Sequence, residues 1–258
     1  MMSTNFGAAA KEYARFRAGF PDSLFDWLEP LVGKVDGRKV VDLGTGTGTL
    51  ARGFAIRGAR VVAIDPDNRL LEEARRIDAG VPVAIVYAMG KAEAIPLADN
   101  VADLVCAGQC WHWFDAPVAA REISRITRPR GRVVIAHFDW LPIPGTVVAM
   151  TERLIEGHNP GWRFGGGNGF HPESLPDLRA AGFSGFESFS YEVDVAYTRE
   201  AWRGRIRASA GVGASLSRSA ADAFDRELGD ALAESFPGEV LAIPHRVFVI
   251  VGTLGKTD

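Results

Sequence analysis

Two periodicities alternate along the first half of the chain. Short apolar runs, Val40–Leu43, Arg60–Asp65, Val83–Ala88, Val101–Cys106 and Arg132–Phe138, have the length of buried strands. Between them the apolar positions recur at helical spacing: Leu50 to Ile56, then Leu70, Leu71, Ala74 and Ile77 within Asn68–Ala79, then Ala119, Ile123 and Ile126 after Pro117. Alternating strand and helix predicts an α/β fold with a doubly wound, mostly parallel sheet. Punctuation agrees. Gly58 suits the left-handed close of a helix, Pro117 suits a first helical turn, and Arg128-Pro-Arg-Gly131 predicts a break before the fifth strand. Upstream, Leu24, Trp27, Leu28 and Leu31 predict an amphipathic helix from Asp22 to about Glu29, stopped near Pro30.

From Gly145 the pattern changes. A helix to about Glu156 leads into Gly157–Gly169, a loop rich enough in glycine, asparagine and proline to predict mobility and a lid. Ser174–Ala181 reads as a short helix, and the period then drops to two at Phe189, Tyr191, Val193 and Val195, which marks a strand. Helices over Thr198–Ala210 and about Ser219–Phe236, the second with Ala221, Phe224, Leu228 and Leu232 on one face, precede a last strand at Arg246–Leu254. The pattern predicts one domain: residues 1–140 as a ligand-binding core, 141–245 mostly as a helical cap and substrate-side insertions, and 246–254 as the last strand.

Composition narrows the partners. A net charge of −3 and no long basic run argue against nucleic acid, and no apolar run approaches the ~20 residues of a membrane span. The N-terminus lacks the order of a signal peptide, and Cys106 and Cys110, spaced four apart, form neither a zinc knuckle nor a redox pair. A cytoplasmic protein, monomer or homodimer, with a small-molecule partner is the expectation. His137, His158, His171 and His245 show no metal-ligand spacing, so no metal is predicted.

The chemistry concentrates in two places. Asp42-Leu-Gly44-Thr45-Gly46-Thr-Gly48-Thr49 joins the first strand to a helix, and its glycines let an extended ligand lie against main-chain N–H groups at the helix N-terminus. That is the layout of a nucleotide-type cofactor site. A dinucleotide fingerprint needs a small third residue where Thr49 stands, and Asp42 precedes the first glycine by two positions; both point away from NAD. Asp65 closes the second strand 21 residues after Gly44, near the spacing of an acid that accepts from both ribose hydroxyls; the alternative is a helix cap before Pro66.

The second place follows the fourth strand: Gln109-Cys-Trp111-His112-Trp113-Phe114-Asp115. Ligands of open α/β sheets bind beyond the carboxyl ends of the strands, so this string forms a pocket edge, with His112 a candidate general base and Trp111 and Trp113 substrate contacts. Packing at the start of the next helix is the alternative for the aromatics, and backbone satisfaction the alternative for His112. Arg199, Arg203 and Arg207 share one face of a later helix, where Arg203 could meet an anionic substrate or the whole face could be solvated.

Asp42-x-Gly44-x-Gly46-x-Gly48 with Asp65 resembles motif I and its successor in class I S-adenosylmethionine-dependent methyltransferases. The resemblance covers residues 6 to about 138 and implies S-adenosylmethionine as donor, S-adenosylhomocysteine as product, and cofactor contacts from Asp42, Gly44, Thr45, Gly46, Gly48, Asp65 and Pro66. It also implies an arginine near the methionine carboxylate, here Arg17 with Tyr13 on the same face. Leu70 falls near the adenine or ribose, Ala92 and Glu93 at the adenine amine, and the loop Gly90–Leu97 closes over the adenine. Gln109 is expected both to contact the cofactor and to serve catalysis beside His112.

The Gln-x-Trp-His-Trp-Phe-Asp string is similar to the fourth-strand loop of methyltransferases related to trans-aconitate methyltransferase, which implies a small organic acceptor methylated at a carboxyl or hydroxyl oxygen. Arg130 stands where the family usually has glycine. The two C-terminal strands flanking a helical insertion resemble the antiparallel hairpin that completes a seven-stranded, Rossmann-like methyltransferase sheet. Two other readings compete: an NAD-dependent oxidoreductase, disfavoured by Thr49 and by the lack of a Tyr-x-x-x-Lys pair, and a non-catalytic S-adenosylmethionine-binding protein.

Overall fold

The computed structural model describes residues 16–255. They fall into two compact units. The sheet unit comprises 19–138, 171–190 and 247–255, and the insertion unit comprises 16–18, 139–170 and 191–246. Residues 171–190 thus belong with the sheet rather than with the remainder of the expected insertion.

In the sheet unit, helix α1 (Ser23–Val32) precedes β1 (Lys39–Leu43), α2 (Thr49–Ile56), β2 (Arg60–Asp65), α3 (Asn68–Asp78), β3 (Ile85–Met89) and β4 (Ala102–Gly108). After a 3-10 turn at Trp111–Trp113 come α4 (Ala116–Ile126) and β5 (Thr127–Trp140), then α5 (Val147–His158), α6 (Ser174–Ala180) and β6 (Phe183–Thr198). Helices α7 (Arg199–Arg207) and α8 (Arg218–Ser235) and strand β7 (Val240–Leu254) complete the chain. The seven strands lie in the order β3-β2-β1-β4-β5-β7-β6; β1 to β5 pair in parallel, and β6 and β7 add the antiparallel hairpin.

The strands form where β-branched residues are buried on both faces of a parallel sheet. Val41 lies opposite Val62 on one side and Val105 on the other, and Val105 opposite Val133. Leu43, Ile123, Ile126 and Ile135 pack into the same core without solvent contact, and each such side chain contributes roughly 1.5–3 kcal/mol by leaving water. Helix α3 begins at Asp67, whose carboxylate accepts from Arg69 N–H at 2.9 Å, and α4 begins at Asp115, which accepts from Val118 N–H at 3.4 Å.

Several boundaries differ from those the pattern predicts; β6 starts at Phe183 rather than near Phe189, and β7 at Val240 rather than Arg246. Helix α1 runs through Pro30 to Val32, because a proline two residues from the helix end removes one hydrogen bond there and leaves the preceding turns intact. Strand β5 starts at Thr127, not Arg132: Thr127 pairs with Ala102 and Arg132 with Leu104, so residues 128–131 bulge between these contacts. Arg130 turns the bulge at φ +65°, a conformation glycine adopts without strain.

The insertion unit has its own core around Trp202, which is fully buried and donates from Nε1 to Thr151 Oγ1 at 3.0 Å. Phe224, Leu228 and Leu232 of α8 join it, as their helical spacing predicts. Tyr197 Oη accepts from Ala18 N–H at 3.0 Å and donates to the Phe16 carbonyl at 2.9 Å, which fixes the main chain on either side of Arg17.

Three hydrogen bonds tie the glycine-rich loop to other parts of the insertion unit. Asn159 Nδ2 donates to the Gly211 carbonyl at 3.0 Å, Gly166 N–H to Glu152 Oε2 at 2.8 Å, and Arg246 Nη1 to the Asn168 carbonyl at 2.7 Å. Glu152 is itself buried, with Trp140 Nε1 donating to its other oxygen at 2.8 Å, and burial raises its pKa. Hydrogen exchange should therefore be slow at Gly166, and Glu152→Ala should accelerate it with a stability loss of about 1–3 kcal/mol, the cost of orphaning buried donors. Fast exchange at Gly166 in the unaltered protein would show that this anchor does not form.

Candidate functional site

The strand order reverses at β1, which has β2 on one side and β4 on the other. At such a switch the loops leaving neighbouring strands diverge and open a crevice at their carboxyl ends. The turn after β1 and the loop after β4 meet there. A Cβ added at Gly44 would stand 2.9 Å from Cys110 Cβ and Sγ and 3.3 Å from Phe114 Cζ. Cys110 Sγ also donates to the Leu43 carbonyl at 3.2 Å, which ties loop to strand.

Gly46 differs from Gly44. It sits at φ +56°, and a Cβ there would meet nothing within 4 Å, so this side of the turn faces open space. Its N–H donates to Asp65 Oδ2 at 2.8 Å, while Asp65 Oδ1 accepts from Asp67 N–H at 2.9 Å. Asp65 is only 6% exposed, and burial raises its pKa against the lowering effect of those two bonds. An ionised carboxyl oxygen can accept twice, so after one bond each both oxygens retain a lone pair. The helix cap weighed for Asp65 belongs instead to Asp67.

Asp42 does not face the crevice. Its carboxylate, 2% exposed, accepts from Thr45 Oγ1 at 2.6 Å, Ala51 N–H at 3.2 Å and Cys106 Sγ at 3.4 Å. Asp42 and Thr45 thus brace the turn from within. Burial pushes Asp42 up to about 6 despite these three donors.

Of the other positions in this unit, Leu70 and Ala92 are buried and Pro66 is exposed. Glu93 Oε1 accepts from Asp115 N–H at 2.9 Å, which links the loop after β3 to the start of α4. Gln109 takes φ +60° and donates from its N–H to the Ala136 carbonyl at 2.9 Å. A non-glycine residue in that conformation carries strain of order 1–3 kcal/mol, which clusters at ligand sites. Trp111 is buried edge-on to Phe114 at 6.0 Å, the packing weighed as the alternative to a substrate contact. His112 and Trp113 stay at the surface, with ring centroids 4.8 Å apart.

Tyr13 lies outside the described residues. Arg17 is half-buried in the insertion unit. Arg203 pairs through Nη2 with Asp225 Oδ2 at 2.5 Å and through Nε with Oδ1 at 3.1 Å, and Arg207 shares the same carboxylate at 2.9 Å. Its donors meet an acid of α8, a partner that spacing within one helix could not reveal. Arg205, on another face of α7, stacks over the Trp140 ring at 4.9 Å. With Arg17 its charge adds to the effect of burial, which lowers His245 to about 4. Glu152, Asp67 and Arg205 were not singled out in the sequence; only the capping position of Asp67, just before a helical run, carried a signal.

Residues 41–135 match the methyltransferase domain family. Over this segment the chain is similar to a methyltransferase domain. An uncharacterised methyltransferase of Mycobacterium bovis is 42% identical over 132 residues, 51% of each chain, and one of Schizosaccharomyces pombe is 29% identical over 136 residues, 52% of this chain and 53% of that one. The chain thus spans about half the length of the curated relatives it matches. Among solved structures, a candidate type II methyltransferase from Anaeromyxobacter dehalogenans superposes with a TM-score of 0.65 at 24% identity, covering 93% of this chain and 100% of that one. Haemonchus contortus phosphoethanolamine N-methyltransferase 2, in complex with phosphomonomethylethanolamine and S-adenosylhomocysteine, gives 0.58 at 18% identity, covering 97% and 58%. These two likenesses establish the methyltransferase fold, including the hairpin. No helix among the described residues is long and apolar enough to cross a membrane.

The Asp42 shift sets a pH dependence for the domain. Its folded pKa of about 6 exceeds the 3.8 of an ordinary aspartate, so between these values the folded state keeps a proton that the unfolded state has lost. Its contribution to stability is complete below about pH 3.8 and is lost as pH rises through about 6, a change of about 3 kcal/mol. Asp42→Asn keeps an acceptor for Thr45 and Ala51 and should flatten this part of the stability curve. Urea titrations from pH 4 to 7 that give the same slope for both proteins would rule out a buried titrating Asp42.

Proposed function

We propose that the chain is an S-adenosylmethionine-dependent methyltransferase that acts on a small molecule at a carboxyl or hydroxyl oxygen. The observation that carries the proposal is the open side of Gly46 beside the Asp65 carboxylate at the strand-order reversal. A Cβ at Gly46 would occupy the space where an adenosyl group would lie, and the spare lone pairs of Asp65 suit two ribose hydroxyls. The Haemonchus protein's S-adenosylhomocysteine supports the same donor class here.

S-adenosylmethionine supplies an already activated methyl group, so the protein's contribution is alignment and exclusion of water. The glycine turn fixes the adenosyl end. Gln109, His112 and Trp113, on the adjoining loop, orient the acceptor, and Gln109 is held in its conformation by the Ala136 carbonyl. For a hydroxyl acceptor His112 takes the proton as the oxygen attacks; a carboxylate acceptor needs no base.

S-adenosylhomocysteine at 100 times its dissociation constant should stabilise the protein by about 2.7 kcal/mol in a thermal-shift assay, with no response to NAD. Stabilisation by NAD alone would overturn the donor assignment in favour of an oxidoreductase. With a labelled donor and a panel of hydroxy and carboxylic acids, His112→Ala should lower turnover of a hydroxyl acceptor by about 10²–10⁴-fold and remove a pH dependence near neutrality. Wild-type turnover and an unchanged pH profile in this variant would exclude His112 as the base.

A further inference from the structure

His137 and His171 stand far apart in sequence, with no ligand spacing between them, yet the sheet unit brings their rings face to face. Their centroids are 3.9 Å apart and their planes differ by 15°. His137 lies in β5 immediately after Ala136, which pairs with Gly108 and accepts from Gln109 N–H, so the two rings stand at the same carboxyl edge as the loop after β4. His137 is 3% exposed; the His171 side chain is 33% exposed, and its Nδ1 lies 3.9 Å from Glu173 Oε2.

A neutral imidazole presents a nitrogen lone pair in the plane of its ring, which is the atom a metal takes. Two imidazoles from separate elements with a carboxylate beside one of them make a donor set for a borderline divalent cation such as Zn²⁺, Co²⁺ or Ni²⁺ rather than for Mg²⁺ or Ca²⁺. We propose that His137 and His171 are two ligands of a transition-metal site, with Glu173 orienting the His171 ring from outside the coordination shell and water filling the remaining positions. Stacked rings do not share a common in-plane point, so binding turns the more exposed His171 ring about its Cβ–Cγ bond while buried His137 stays fixed. This site does not depend on the identity of the methyl donor.

Equilibrium dialysis of the full chain against Zn²⁺ or Co²⁺ tests it, with bound metal counted per chain and Co²⁺ followed by its visible absorption. One ion per chain is expected, with no competition from excess Mg²⁺. Loss of an orienting partner typically weakens metal binding 10–100-fold, so Glu173→Gln should cost about tenfold and loss of a ligand in His171→Ala at least about 100-fold. His171→Ala is the decisive variant because the residue is partly exposed, whereas His137→Ala opens a buried site. His158→Ala, a histidine paired with Glu227 in the insertion unit, should bind as the unaltered protein does. Absence of binding by the unaltered chain, binding that survives His171→Ala, or equal loss in His158→Ala would each overturn the proposal.

Discussion

The turn after β1 is held between two buried carboxylates, and the candidate site exists because both are in place. Asp42 holds the turn from inside the sheet through Thr45 and Ala51, while Asp65 reaches across from β2 to the N–H of Gly46. Each carboxylate is desolvated, and each has its pKa raised by that burial. The cost is tolerated because donors from two elements converge on each group, which leaves the turn one conformation with its open side toward solvent. The same bracing explains the alternate glycines: one allows the loop after β4 to close on the turn, and the next leaves room for a ligand.

Much of the sheet unit was legible because its strands and helices differ in period, and a parallel sheet buried on both faces writes short apolar runs into the chain. Strand β6 was only half visible. The strand begins at Phe183, but its alternation begins only at Phe189, because Gly185 and Glu187 stand where apolar residues would continue it. The bulge at 128–131 was hidden for a related reason: Pro129 and Gly131 read as a break, yet Thr127 is already paired with Ala102. The glycine-rich loop reads as mobile on composition, and composition does not show its hydrogen bonds to a buried glutamate and an arginine from other elements.

The candidate site divides in the same way. Gly46 and Asp65 were legible because backbone conformation and strand position follow from local sequence. The partners of Asp42, Trp111 and Arg203 were not, because each is chosen by packing. Arg203 shares a face with Arg199 and Arg207, but only the approach of α8 brings Asp225 to it. His137 and His171 make the point in reverse: no spacing relates them, and the fold alone sets their rings together.

A crystal structure with S-adenosylhomocysteine bound tests the central claim most directly. The ribose hydroxyl oxygens should lie about 2.6–3.2 Å from Asp65, with the Gly46 N–H still donating to the same carboxylate and the adenosyl group against the open side of Gly46. A ligand seated elsewhere, or a ribose out of reach of Asp65 with the turn unchanged, would contradict this account.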